Sequence, residues 1–165
     1  MANIQYFPFN IEYDDHPRQL ISDVAVFNSR QSQKEIMVKA LWDTGAVLSA
    51  VTPDIVNELN LVSYDKILND GRIHTNGIGD YSSWLDVVKI SMRLSFYVEL
   101  IDRRVTVVNL VKGVGMLIGM DIIQLGDFSI SNGAGRTLFT FVMPPFDDKI
   151  DLYAKALNVN RNTKP

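Results

Sequence analysis

Apolar and polar positions alternate along this chain in short runs, with a period nearer two than 3.6. Ile21-Ser22-Asp23-Val24-Ala25-Val26-Phe27 has the near-alternation of a half-buried strand. Asn28 to Lys34 is polar and turn-like, and Glu35 to Trp42 is a second strand, so residues 21–42 read as a hairpin. Val47 to Val51 is a short third strand. Thr52-Pro53-Asp54 then signals a helix, with Thr52 as N-cap, proline at the first helical position and an acid in the first turn. Ile55, Val56 and Leu59 give this helix its apolar side, and Asn60 ends it. Two β-like runs in residues 72–92 flank Asn76-Gly77-Ile78-Gly79-Asp80, whose glycines suit a hairpin tip. Phe96–Ile101 and Arg104–Val111 read as a further hairpin turning at Asp102-Arg103. Met116-Leu117-Ile118 is a short strand stopped by Gly119, and Asp121 to Leu125 is a short helix closed by Gly126. Phe128–Ile130 and Thr137–Val142 flank a turn at Ser131-Asn132-Gly133-Ala134-Gly135. Pro144-Pro145 closes the β region. In the tail, Ile150, Tyr153, Ala154 and Leu157 have helical spacing, Asp147 and Asp148 stand at that helix's start, and Asn158 to Pro165 reads as frayed.

Many short strands with few short helices specify an all-β barrel or compact sandwich. Long helices alternating with strands are absent, which excludes a doubly wound α/β domain. The 165 residues suit one domain, and 47% hydrophobic with 21% charged residues is enough apolar material for a core without staples. A net charge of −3 gives no overall basic footprint for nucleic acid. The chain has no cysteine, which removes disulfides, thiolate metal sites and cysteine nucleophiles, and His16 and His74 alone cannot build a histidine cage. No apolar run reaches the ~20 residues of a membrane helix. The first residues lack a basic segment followed by an apolar one, so no secretory signal is read and a cytoplasmic protein is expected. No metal or organic cofactor is expected.

The chemistry concentrates in Ala40-Leu41-Trp42-Asp43-Thr44-Gly45-Ala46. An acid lies between a strongly apolar strand and a Thr-Gly turn. There the carboxylate is partly desolvated, Gly45 lets backbone approach it, and the Thr44 hydroxyl can lock the loop. Asp43-Thr44-Gly45-Ala46 resembles the active-site motif of aspartic proteases, and its surroundings resemble the retropepsin family. Ser49 and the Pro53–Leu59 helix follow in the family's order. Asn76, Gly77, Ile78 and Gly79 occupy the place of its flap, and Leu117-Ile118-Gly119 resembles its second signature. The likeness spans residues 20–142. It implies a closed acid-protease β-barrel with one or two short helices and a C-terminal helix. The chain then divides into an N-terminal extension at 1–20, a protease domain at 21–145 and a part-helical tail at 146–165.

The resemblance implies an aspartic endopeptidase in which two aspartates share a proton and activate water against a peptide bond. This chain has one Asp-Thr-Gly, since Asp70, Asp121 and Asp127 are followed by other residues. The second aspartate must come from a second copy, so the expected partner is an identical subunit on a twofold axis, with a peptide or protein substrate between them. Thr44 would brace the two loops, Gly45 would present backbone to the carboxylate, and Gly77, Ile78 and Gly79 would close over the peptide. The rival reading is a retropepsin-like module that binds peptide or dimerises without cutting. Trp42 is bulkier than the residue usual before the motif. It either narrows a pocket or fills core.

Overall fold

The computed structural model describes residues 4–31, 34–62, 72–76 and 82–162. The Gly77–Asp80 part of the expected flap lies outside them. Among the described residues, ten strands and three helices follow in order: β1 Phe7–Tyr13, β2 Leu20–Phe27, β3 Glu35–Trp42, β4 Ala50–Val51, α1 Pro53–Glu58, β5 Arg72–Asn76, β6 Ser82–Ser95, β7 Val98–Val107, β8 Met116–Ile118, α2 Met120–Ile123, β9 Asp127–Gly133, β10 Arg136–Met143 and α3 Leu152–Asn162.

Six strands close a barrel in the order β2-β3-β8-β4-β7-β6, and β6 returns to β2 through Ala25–Arg93, Val26–Met92 and Phe27–Ser91. Strand β5 extends β6 outside the ring. Most neighbours are antiparallel, but β3 runs parallel to β8 and β4 parallel to β7. Arg93 stitches the closing seam. Its guanidinium reaches Glu35 at 2.8 Å and Glu99 at 2.7 Å and lies 5.9 Å from the centre of the Phe27 ring. The bond to Glu99, ahead of the charge of Glu35, raises its pKa and keeps it charged.

A second sheet, β1-β10-β9, covers the barrel beside β3. Inward residues of β10 alternate as strand geometry requires, so Thr137, Phe139 and Phe141 are buried while Arg136 and Leu138 are exposed. The rings of Phe139 and Phe141 lie 4.9 and 5.2 Å from that of Trp42, and Phe9 of β1 lies 5.9 Å away. Trp42 therefore fills core at the junction of the two sheets. Its indole N–H donates to Ser22 Oγ at 2.9 Å, so its one polar atom is satisfied. Tyr13 ties the sheets together at the other end, donating to the Ile21 carbonyl at 2.9 Å.

The structure corrects several expectations. The β6–β7 turn is at Phe96-Tyr97, with Ser95 paired to Val98, and β7 runs unbroken through Asp102-Arg103. Asp102 has φ 51°, its N–H donates to Ser91 Oγ at 3.0 Å, and the register shifts beside it. The acid tolerates positive φ in a bulge as readily as in a turn. The strand read at Val47–Val51 shrinks to Ala50–Val51, because the carbonyls of Ala46 and Val47 accept from Met120 and Asp121 instead of entering the sheet. The second helix begins at Met120, one residue early. The last hairpin turns on Ala134-Gly135 alone, both at positive φ, while Ser131 to Gly133 stay in β9. Strand β1 has no counterpart in the sequence reading.

The tail helix is capped by Asp151, not by Asp147 or Asp148. Asp151 Oδ1 accepts the Ala154 N–H at 2.9 Å, and the helix continues to Asn162, through part of the stretch read as frayed. Asp151→Ala is expected to cost this exposed helix about 1 kcal/mol. Amide hydrogen exchange at residues 152–162 should accelerate several-fold while the barrel's unfolding midpoint holds.

Candidate active site

Strand β3 ends where the Asp43 loop begins, and β8 fixes where that is. Ala40, Leu41 and Trp42 pair with Met116, Leu117 and Ile118, and the Asp43 N–H continues the ladder to the Ile118 carbonyl at 3.0 Å. The loop then turns sharply. Ala46 N–H donates to the Asp43 carbonyl at 3.2 Å, and Gly45 N–H donates to Asp43 Oδ1 at 2.8 Å. A Cβ on Gly45 would stand 3.1 Å from that same oxygen, so the close approach favours glycine. Asp43 is half-buried, whereas Thr44 and Gly45 are exposed.

Behind the loop lies a hydrogen-bond relay. Asp121 Oδ1 accepts from Ser49 N–H at 2.9 Å and from Ser49 Oγ at 2.7 Å, and Ser49 Oγ accepts the Gly119 N–H at 2.9 Å. The Ser49 carbonyl takes both the backbone N–H and the hydroxyl of Thr106, at 2.9 and 3.1 Å. Met120 N–H and Asp121 N–H return to the carbonyls of Ala46 and Val47, at 2.8 and 3.2 Å. The start of α2 thus grips the far side of the Asp43 loop. Gly119 is where the two segments touch. A Cβ there would lie 2.7 Å from the Leu48 carbonyl carbon and 3.0 Å from the Ala46 oxygen.

The structure brings Asp43, Thr44, Gly45 and Ala46 together with Leu117, Ile118 and Gly119. Asn76 ends the β5 arm, paired with Ser82. Gly77, Ile78 and Gly79 lie outside the described residues. The sequence reading passed over Asp121 because no Thr-Gly follows it; the signal was an acid two residues beyond Gly119, facing a serine six beyond Asp43. Asp121→Asn keeps one acceptor oxygen but loses the charge that strengthens both Ser49 bonds. We expect a loss of about 1–2 kcal/mol in urea unfolding, and the Ser49 amide should exchange faster.

Asp43 and Thr44 line an open cleft of about 620 Å3. Its walls are His16 to Leu20, Leu41 and Trp42, with Ile130, Asn132 and Thr137 from the second sheet. The sequence reading assigned no role to the His16–Leu20 wall. The Thr137 hydroxyl gives its one proton to Asn132 Oδ1 at 2.7 Å, so the 3.2 Å contact from His16 Nδ1 is an N–H donation. Asp43 is the only carboxylate lining this cleft among the described residues. Among them, no cluster of three or more His, Asp or Glu side chains is placed to hold a metal ion, and no helix is long and apolar enough to cross a membrane.

No protein-family model matches the chain, and no curated protein matches it. Solved structures do. A retropepsin-like aspartic protease from Rickettsia conorii superposes with a TM-score of 0.51 over 87% of this chain and 98% of that one, at 14% identity. The fold is retropepsin-like. EIAV protease, complexed with the inhibitor HBY-793, is a second match, with a TM-score of 0.47 and 17% identity over 65% of this chain and 86% of that one. In the retropepsin-like barrel described above, the Asp43 loop and Gly119 directly follow two adjoining strands, β3 and β8.

Proposed function

We propose that this protein is an aspartic endopeptidase whose active unit is a homodimer. The reading rests on one observation: the single Asp-Thr-Gly of the chain caps β3 of a retropepsin-like barrel, pinned to β8 and α2 and open to a cleft. One carboxylate does not suffice for this chemistry. Two Asp43 side chains facing each other across a twofold axis share a proton, because close like charges cannot both ionise readily. The ionised member takes a proton from a bound water, the water oxygen attacks the peptide carbonyl, and the protonated member donates to the carbonyl oxygen. A tetrahedral diol forms and collapses as the amine leaves with a proton. No covalent enzyme intermediate arises. The pair titrates as a unit, so a bell-shaped pH profile belongs to the dyad.

The Gly45 N–H, held at 2.8 Å, fixes the orientation of the Asp43 carboxylate. The cleft suits an extended peptide, with backbone bonds along its length and side chains in alternate pockets. The exposed Thr44 is free to meet its twin. The test is digestion of a diverse peptide mixture from pH ~4 to ~7.5, with new termini read by mass spectrometry. Cleavage blocked by a statine-type peptide supports the peptidase. Binding of that peptide without cleavage at any pH would move the reading to a silent peptide-binding module.

A further inference from the structure

The cleft beside Asp43 has a charged wall that the chemistry proposed above does not use. Among the described residues its lining carries one carboxylate, Asp43, and one guanidinium, Arg18. Asp14 and Asp15 stand in the same connection between β1 and β2 but do not line the cleft. Arg18 is exposed, and among the described residues it meets no carboxylate. Arg93 and Arg136 differ in this respect, since glutamates hold both.

The fold places this cation. Leu20 opens β2 and pairs with Trp42, so the antiparallel register brings the residues before Leu20 alongside those after Trp42, where Asp43 and Thr44 stand. Two residues before Arg18, the His16 ring donates from Nδ1 to the Thr137 hydroxyl at 3.2 Å, and that hydroxyl donates to Asn132 Oδ1 at 2.7 Å. Thr137 is buried, so the anchor is set into the second sheet. Pro17, between His16 and Arg18, has a fixed φ. The connection is therefore held at His16 and again at Leu20, with Arg18 midway. A guanidinium presented in this way, without a carboxylate of its own, suits a carboxylate brought by a ligand, which it can grip through two parallel N–H bonds.

We infer that Arg18 is a specificity residue, which selects peptides carrying a glutamate or aspartate side chain near the bond held at Asp43. The sign of the charge decides the ligand class. A basic side chain in the peptide would meet a like charge, and an apolar one would cover the guanidinium without pairing it. The inference rests on the peptidase reading above and names its substrate class. In the homodimer, a twofold axis gives each half of the peptide its own Arg18. The preference for an acid should therefore recur at equal subsite distances on both sides of the cut bond.

A set of uncleaved, statine-type peptides tests it, with glutamate, glutamine or lysine placed at each position in turn and Kd read by fluorescence anisotropy. At the positions that face Arg18, the glutamate peptide should bind the wild type about 10-fold more tightly than its glutamine isostere. In Arg18→Gln that ratio should fall to about 1, and in Arg18→Glu the preference should turn to lysine. Circular dichroism should show both variants folded, since an exposed side chain is being exchanged. Each ratio is taken within one protein, so a general weakening of binding does not enter it. The inference is overturned if no position favours glutamate, if the preference persists in Arg18→Gln, or if no peptide of the set binds. A preference on one side alone would keep the subsite and remove the twofold axis. Binding is read without turnover, so the two readings fail separately. A charge preference that follows Arg18 in a protein that cuts nothing leaves the subsite standing and removes the peptidase, whereas an active enzyme indifferent to acids does the reverse.

Discussion

Asp43→Asn should abolish peptide hydrolysis, lowering kcat/KM by about 10³- to 10⁴-fold, while the urea midpoint stays within experimental error of wild type. Asparagine has the shape of the acid and keeps a carbonyl oxygen in place to accept the Gly45 N–H, now at 2.8 Å from Asp43 Oδ1. The Asp43 backbone bond to Ile118 does not involve the side chain and persists. What is lost is a group that can take a proton from water, and a proton to give to the carbonyl. The proposed dimer adds a sharper expectation. A dimer with one asparagine lacks half of the dyad and is silent, so activity in mixtures should fall with the square of the wild-type fraction. Linear decline would mean that each subunit works alone, and turnover by the pure variant would remove Asp43 from the chemistry.

Gly119→Ala should damage fold and activity together. Gly119 has φ −94°, a backbone any residue adopts, so the demand is for space. The added methyl would sit 2.7 and 2.8 Å from the Leu48 carbonyl carbon and oxygen, which are backbone and cannot rotate away. The start of α2 and the Asp43 loop must therefore separate, which strains the bonds from Met120 to Ala46 and from Gly119 to Ser49 Oγ. Overpacking of this kind costs about 1–3 kcal/mol, and occasionally more. A shift of 1 Å in the loop is enough to cost about 10²-fold in rate. Chemical denaturation and kcat/KM on the same sample check both halves. A variant of normal stability and normal rate would show that the loop and α2 are not held by this contact.

The sequence made the site's two segments legible for different reasons. Asp43-Thr44-Gly45 stands out because an acid beside a glycine after an apolar strand is a costly arrangement, used where chemistry needs it. Leu117-Ile118-Gly119 is ordinary by itself and gains meaning only beside the first. The relay through Ser49 and Asp121 was illegible, since 72 residues separate the partners and neither departs from a surface composition. The β2–β3 hairpin and α1 were readable because their signals are local: a period of two, or a proline after a threonine. Even there Thr52 makes no side-chain capping bond, and its extended backbone alone starts the helix.

The misplaced β6–β7 turn teaches the same lesson from the other side. Asp102 has the residue type of a turn, yet its partner across the strand, Ser91, makes it a bulge. Phe96-Tyr97 has no turn residue at all, and the chain reverses there because Ser95 and Val98 pair. Strand β1 was missed because Phe7-Pro8-Phe9-Asn10 contains a proline, which demotes a strand in the interior of a sheet but not at its edge.

The parallel pairing of β3 with β8 also governs when the Asp43 site can exist. Residues 40–42 wait for residues 116–118 before the Asp43 loop has its first anchor, and for Asp121 before it has its second. Contacts so distant in sequence form slowly, because the intervening chain must be closed before they contribute. A growing or half-folded chain thus carries its aspartate unaimed. The barrel's connectivity sets an order: on the proposed reading, no peptide can be cut before the barrel has closed.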